Sequence, residues 1–88
     1  MTVIPPYKYT VDDAVLEVFS VVTKRQREQL LRTFAQMVDN PFLLGETIQR
    51  DHVGRQLQVR RFGEWTVTYW PEHLSNVVHI VALEHLRV

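Results

Sequence analysis

Histidine and arginine side chains in the second half of the sequence have the chemistry needed to cleave a phosphodiester bond. Cleavage of RNA by its own 2′-hydroxyl requires one group that accepts a proton, one that donates a proton, and cations that stabilise the extra charge on the phosphate. Histidine suits proton transfer because its ordinary pKa is about 6.5, and arginine suits phosphate binding. The candidates are His79 and His85, one of which acts as acid or base in this hypothesis, and the arginines of residues 50–61, which contact the phosphate.

Charge is unevenly distributed along a chain whose formal net charge is zero. Residues 50–61 contain four arginines and one aspartate, a charge of +3, and residues 62–88 contain three glutamates and one arginine, a charge of −2. The basic stretch, which includes Arg55, predicts a surface that contacts RNA, DNA or an acidic segment of a partner protein. The alternative is ordinary solvated surface, since charges at strand edges discourage aggregation.

Three aromatic side chains lie close together in residues 65–70, WTVTYW. Because alternate residues of a strand point to opposite faces, Trp65 and Tyr69 share one face and are predicted to belong to the core. Trp70 points to the other face. It is the better candidate for stacking on a base or receiving a side chain of a partner protein.

The histidines of the last predicted strand are six residues apart. If that strand is regular through Glu84, His79 and His85 lie on the same face, and we expect His79 to pack as a half-buried strand residue. The sequence has no cysteine and no convincing histidine or histidine–carboxylate spacing for a metal. We therefore predict neither a metal site nor another cofactor.

A length of 88 residues allows one small domain, which we assign to residues 1–88. The hydrophobic fraction of 45%, with 3 glycines and 4 prolines, excludes a disordered or collagen-like chain. No apolar run approaches the ~18–20 residues of a membrane helix. The first six residues lack the features of a secretory signal. We expect a soluble, cytoplasmic protein that does not bind a membrane.

Two helices are predicted in the first half of the chain. Thr10 with Asp13 and Thr23 with Gln26 have capping-box spacing, so the first helix ends near residue 21 and the second begins at residue 24. The Asn-Pro pair at residues 40–41 ends the second helix. Its apolar stripe comprises Leu30, Phe34, Met37 and Val38.

Three strands are predicted in the second half. Leu57 and Val59 alternate with Gln56, Gln58 and Arg60, which therefore face the opposite way. The strands cover residues 55–62, 65–70 and 77–83, with turns at 63–64 and 71–76, and residues 7–11 supply a further strand. The predicted fold class is α+β, with a helical hairpin packed on a small antiparallel sheet in the order β-α-α-β-β-β.

The order and spacing of these segments resemble the RelE/ParE superfamily of toxins from toxin–antitoxin and plasmid-stabilisation modules. The resemblance covers Tyr7 to Arg87. Its carriers are YKYTVDDAVLEVF, the helix-end motif at residues 39–42, the strand–turn–strand run VRRFGEWTVTYW, and the final segment HIVALEHLRV. It implies a prokaryotic protein bound by a cognate antitoxin. It also implies one of two activities: RelE-like members cleave messenger RNA in the ribosomal A site, and ParE-like members poison DNA gyrase.

Matching this sequence to RelE-type nucleases extends the candidate site. Gln56 and Gln58 match the alternating basic residues before the glycine turn, and Thr66 matches the arginine after it. His85, with Arg87 nearby, matches the basic residue at the end of the last strand. The resemblance thus implies a toxin with messenger RNA cleavage as its activity. In this reading His85 is the acid or base, and Arg60 and Arg61 orient the phosphate. Gyrase inhibition and a non-catalytic binding module remain alternatives, and an open sheet edge and face would suit an antitoxin or a homodimer.

Overall fold

A computed structural model describes residues 6–86, and these form a five-stranded sheet with two helices on one face. We call this face the helix face and the opposite one the open face. The strand order is β1-β5-β4-β3-β2. In chain order the elements are β1 (Lys8–Val11), α1 (Asp13–Val21), α2 (Lys24–Asp39), β2 (Thr47–Arg50), β3 (Gln56–Phe62), β4 (Trp65–Glu72) and β5 (Val77–His85).

The predicted fold class is confirmed, with two differences in the sheet. Strands β3, β4 and β5 form the predicted antiparallel meander, but β1 pairs in parallel with β5, so the sheet is mixed. The direction of β1 follows from its position, because it leads directly into α1, which packs on β5. The second difference is β2, an antiparallel edge strand beside β3 whose four residues are all exposed. Without a buried face, β2 has no apolar alternation to reveal it.

One of the two predicted capping boxes is confirmed. At the start of α2, the Gln26 amide donates to Thr23 Oγ1 at 3.1 Å, and the Thr23 amide donates to Gln26 Oε1 at 3.0 Å. The prediction for Thr10 is wrong: Asp12 precedes α1 and makes no side-chain cap. Thr10 lies in β1, where pairing with β5 fixes its backbone and its hydroxyl contacts His79.

The core lies between the helices and the helix face of the sheet. Each of its larger apolar side chains stabilises the fold by about 1.5–3 kcal/mol through removal from water. Trp65 and Tyr69 are among them, as predicted. The buried set is Val15, Leu30, Phe34 and Met37 from the helices, and Trp65, Val67, Tyr69, Val78 and Ile80 from the sheet.

A β-bulge divides β5 into two halves. Thr68 pairs with Ala82 while Tyr69 pairs with Ile80, so Val81 is an extra residue between them. Directly paired residues of antiparallel strands share a face. The bulge therefore changes the face of every later residue of β5.

The bulge overturns one prediction about the two histidines. His79 pairs with Trp70 on the open face, whereas His85 pairs with Trp65 on the helix face. The expectation that they share a face is wrong because β5 is not regular. Strand β4 continues to Glu72, two residues past its predicted end, so the second turn is confined to residues 73–76, and β5 continues two residues past its predicted end to His85. No helix within residues 6–86 is long and apolar enough to cross a membrane.

Replacing Thr23 with alanine is expected to destabilise the protein, because the capping box loses the hydroxyl that accepts from the Gln26 amide. The free energy of unfolding should fall by about 0.5–2 kcal/mol, measured by urea denaturation. Thr23→Ser is the control, since it keeps a hydroxyl at the same position. Equal losses in the two variants would show that the hydroxyl is not what stabilises this helix end.

Candidate functional site

Arg60 and Arg61 lie on opposite faces of the sheet. Arg60 pairs with Val67 on the helix face, and Arg61 pairs with Thr66 on the open face. Each guanidinium has a backbone partner: Arg60 Nη1 donates to the Leu44 carbonyl at 3.3 Å, and Arg61 Nε donates to the Gly63 carbonyl at 3.3 Å. The two arginines therefore do not form a joint phosphate clamp in this arrangement.

The glutamines of β3 lie on the helix face with Arg60. Gln58 pairs with Tyr69, and its Oε1 accepts from the Gly45 amide at 2.7 Å. Gln56 is exposed and pairs with Arg50 of β2. Gln58 thus fastens the connection between α2 and β2, while Gln56 stays available for contact with a ligand.

Two further contacts hold the same connection against the sheet. The Tyr69 hydroxyl donates to the Leu43 carbonyl at 2.8 Å. Burial raises the pKa of Tyr69 and the nearby Arg60 charge only partly offsets this, so the hydroxyl stays protonated and able to donate. A Cβ on Gly45 would lie 2.6 Å from the Val59 amide nitrogen, which is too close for any side chain. The connection is therefore fixed in place by backbone and side-chain contacts.

Trp70 lies on the open face, as predicted, but its ring is covered by protein groups. The Arg55 guanidinium carbon lies 4.2 Å from the centre of the indole, and the His79 ring stacks on it at 4.2 Å with an interplanar angle of 20°. Arg55 approaches from the β3 side and His79 from β5, the strands on either side of β4. A base would have to displace one of these groups to stack on Trp70.

His79 links this stack to the edge of the sheet. Its Nδ1 lies 2.8 Å from the Thr10 hydroxyl on β1. Its buried Nε2 is 3.5 Å from Glu72 Oε1 and has no well-oriented hydrogen bond within residues 6–86. The stack therefore runs from the loop before β3 across β4 and β5 to β1. It is a structural cross-strand ladder, in keeping with the half-buried packing expected for His79.

Asp51 holds Arg55 in position for the stack. One carboxylate oxygen of Asp51 accepts from the amides of Val53 and Arg55, at 3.0 Å and 2.8 Å, and the other lies 3.7 Å from the Arg55 guanidinium. Desolvation raises the pKa of Asp51, but the two amide bonds and the charge of Arg55 together outweigh it. The pKa is therefore below its ordinary value of 3.8.

His85 lies at the end of the sheet beside the turn between β3 and β4. Its Nε2 is 3.1 Å from Glu64 Oε2, and its ring meets the Trp65 indole edge-on, with centroids 4.7 Å apart. The Leu86 amide donates to the Glu64 carbonyl at 2.7 Å. Glu64 therefore holds both the imidazole and the backbone that follows it.

A cleft beside His85 brings two of the predicted site residues together. It has a volume of about 690 Å³. Thr66 and His85 both border it, and Arg61 is the register partner of Thr66. The cleft is lined by Thr66, Leu83, Glu84, His85 and Leu86, and we call it the hairpin-end cleft.

The other predicted residues lie away from this cleft. Arg55 and Trp70 belong to the cross-strand ladder, and Gln58 and Arg60 hold the α2–β2 connection. Arg87 lies outside the described residues. No cluster of three potential metal ligands occurs within residues 6–86.

Two glutamates of this region were not among the residues predicted from the sequence. Glu64 lies in a two-residue turn, and Glu84 lies one residue before His85. The contact between Glu64 and His85 depends on the pairing of Trp65 with His85. The bulge in β5 sets that register, and no residue pattern in the sequence indicates the bulge.

Comparison with known proteins identifies the fold. No family model and no curated protein matches the sequence. Among solved structures, the RelBE2 toxin–antitoxin complex from Mycobacterium tuberculosis matches with a TM-score of 0.74 and 15% identity, over 92% of this chain and 99% of the other. The RelE–RelB complex from Pyrococcus horikoshii matches with a TM-score of 0.70 and 15% identity, over 92% and 96%. The chain has the RelE toxin fold.

A third solved structure gives the same result for a toxin without its antitoxin. A mutant of E. coli RelE in the free state matches with a TM-score of 0.69 and 13% identity, over 92% of this chain and 84% of the other. The resemblance noted in the sequence is therefore supported across nearly the whole chain at the level of the fold.

Acid is expected to loosen the loop between β2 and β3, because protonation removes the charge that Asp51 presents to the two amides and to Arg55. Since the pKa of Asp51 is lowered by folding, its stabilising contribution is present above the ordinary value and lost as pH falls through the lowered one. Amide hydrogen exchange at Val53 and Arg55 should accelerate, after correction for intrinsic rates, as pH falls below 3.8. The variant Asp51→Asn keeps an acceptor oxygen but has no carboxyl to protonate. In this variant the corrected exchange rates of the two amides should no longer change with pH.

Proposed function

We propose that this chain is the toxin of a toxin–antitoxin pair and that it cleaves messenger RNA on the ribosome. The observation that carries the proposal is the Glu64-held His85 at the hairpin-end cleft of a RelE fold. RelE toxins with their antitoxins are the solved structures that this chain resembles. The lining of this cleft includes an imidazole, a carboxylate and a hydroxyl, from His85, Glu84 and Thr66.

The pairing with Glu64 gives His85 a defined role in proton transfer. A carboxylate accepts a hydrogen bond, so Glu64 favours the form of His85 that carries its proton on Nε2. Nδ1 is then the nitrogen that accepts the proton of the attacking 2′-hydroxyl. The proton that His85 accepts is then available to the departing 5′-oxygen, and Glu84 also lines the cleft.

Arg61 is the cation we assign to the phosphate. It shares the open face with Thr66, its partner across the hairpin. Among residues 6–86, its exposed guanidinium has only a long bond to the Gly63 carbonyl, at 3.3 Å, so a phosphate could replace that partner with a charge-assisted bond. Arg60 is held at the α2–β2 connection by its bond to the Leu44 carbonyl, and we assign it a structural role there.

A groove between β1 and the helices is the surface we propose for the antitoxin. It is lined by apolar side chains, several of them substantially exposed, including Leu16 at 53% and Leu31 at 45%. Strand β1 is an edge of the sheet, so an extended segment could pair with it while apolar side chains enter the groove. Two of the resembling structures are complexes of a RelE toxin with its antitoxin, which supports a cognate antitoxin as the partner.

Gyrase inhibition is a second candidate, and one observation favours it. The arginines of the basic stretch already have protein partners: Arg50 donates to the Gly54 carbonyl, and Arg55 lies near Asp51 and Trp70. Arg60 and Arg61 likewise donate to backbone carbonyls. A protein that acts by binding another protein does not need free phosphate clamps, and ParE-like members of the superfamily act in this way.

Replacing His85 with alanine is expected to reduce messenger RNA cleavage by roughly 10²–10⁴-fold, because the cleft loses its proton acceptor. Cleavage is measured by primer extension on a defined transcript with purified ribosomes and the purified chain. His52→Ala is the matched control, since His52 is an exposed loop histidine away from the cleft. It should retain full cleavage.

A supercoiling assay with purified gyrase separates the two candidates. Growth arrest and transcript cleavage by the natural chain, with no effect on gyrase, support the nuclease. Inhibition of supercoiling with intact transcripts supports the second candidate. Normal growth on expression of the chain alone contradicts the toxin function as a whole.

A further inference from the structure

A second cleft lies on the helix face, between α2 and the turn that joins β3 to β4. Its volume is about 540 Å³, within the range of about 300–1,000 Å³ that is usual for small-molecule sites. One wall is a stripe along α2, and the other is the end of the hairpin. The lining residues are Arg25, Gln29, Arg32, Thr33, Gln36, Phe62, Gly63, Glu64 and Trp65, and we call this the α2 cleft.

Two buried polar atoms among the lining residues lack hydrogen-bond partners within residues 6–86. They are Trp65 Nε1, a donor, and Gln29 Oε1, an acceptor. Trp65 itself is only 4% exposed. The neighbouring Thr33 hydroxyl does not donate to Gln29 Oε1, because its hydrogen is directed to the Gln29 carbonyl at 3.0 Å. A buried polar group without a partner is costly, so this pair marks a place where a ligand would add hydrogen bonds.

Charge around the α2 cleft favours an anion. Arg25 and Arg32 lie seven residues apart on one side of α2, at its rim. The one acidic lining residue is Glu64, whose carboxylate lies 3.1 Å from His85. The two guanidiniums therefore outweigh the single carboxylate and can bind a phosphate from both sides.

Aromatic surface completes the set of recognition groups. Trp65 and the partly buried Phe62 form the hairpin wall, opposite the amide of Gln29. A planar heteroaromatic ring with both a donor and an acceptor on its edge matches the unpartnered Gln29 Oε1 and Trp65 Nε1, and a phosphate matches the arginines. An acidic side chain of a peptide would satisfy the arginines alone.

We propose that the α2 cleft binds a nucleoside monophosphate, with the base between the hairpin wall and Gln29 and the phosphate between Arg25 and Arg32. This site is separate from the hairpin-end cleft: Glu64 and the neighbouring Trp65 lie between the two, and the arginines of α2 play no part in the proposed cleavage. The proposal therefore stands or falls independently of the toxin function.

The experiment is a titration of the purified full chain with adenosine 5′-monophosphate, adenosine and inorganic phosphate, followed by ¹H–¹⁵N NMR. The readout is the indole N–H signal of Trp65, which Trp65→Phe assigns among the two indole signals of the chain. We expect the monophosphate to shift this signal saturably, with adenosine and phosphate each binding at least tenfold more weakly.

Arg25→Gln and its neighbour Lys24→Gln form a matched pair, since both remove one positive charge from the first turn of α2 and only Arg25 lines the cleft. Arg25→Gln should weaken monophosphate binding about three- to tenfold, and Lys24→Gln should leave it unchanged. Gln29→Leu should weaken binding of both adenosine and the monophosphate.

Three results would overturn the proposal. The first is an indole signal unmoved by millimolar monophosphate. The second is equal weakening by Arg25→Gln and Lys24→Gln, which would indicate only general charge attraction. The third is phosphate, or a glutamate-rich peptide, binding as tightly as the monophosphate, because either result would remove the role of the base.

Discussion

The extra residue in β5 is the constraint on which the arrangement of this protein depends. Both halves of β5 must present apolar side chains to the helices: Val78 and Ile80 do so in the first half and Leu83 in the second. A regular strand cannot place residues 80 and 83 on one face, because its side chains alternate with a period of two. Inserting Val81 resolves the conflict, and it also puts His85 on the helix face, opposite to His79 on the open face.

The sequence predicted the parts of the fold whose signals are local. The capping box at Thr23, the stripe on α2 and the alternation of β3 and β4 each act within a few residues, and all are present in the structure. The features that were predicted wrongly or not at all depend on strand pairing between residues far apart in the sequence. Thr10 has the spacing of a helix cap, but β5 pairs with it, and the short edge strand β2 buries none of its residues.

The same distinction applies to the candidate site. That Arg60 and Arg61 face opposite ways follows from strand alternation alone, so the predicted joint phosphate clamp conflicted with the strand predicted for the same residues. The contact partners of the aromatic and histidine side chains could not be predicted from the sequence, because they come from distant positions in the chain. Glu64 meets His85 across 21 positions, and Arg55 and His79 cover Trp70 from the two strands beside it.

Both clefts occur at the end of the sheet that carries the turn between β3 and β4. The α2 cleft includes Gly63, Glu64 and Trp65, and the hairpin-end cleft includes Thr66 of β4. Trp65 connects the core with both clefts. Its ring belongs to the core, contacts His85 edge-on and lines the α2 cleft. Because Glu64 both lines that cleft and holds His85, a ligand that moved the Glu64 carboxylate would also alter the imidazole proposed to take the proton. The turn between β3 and β4 is therefore the element through which binding on the helix face would reach the chemistry at the hairpin end.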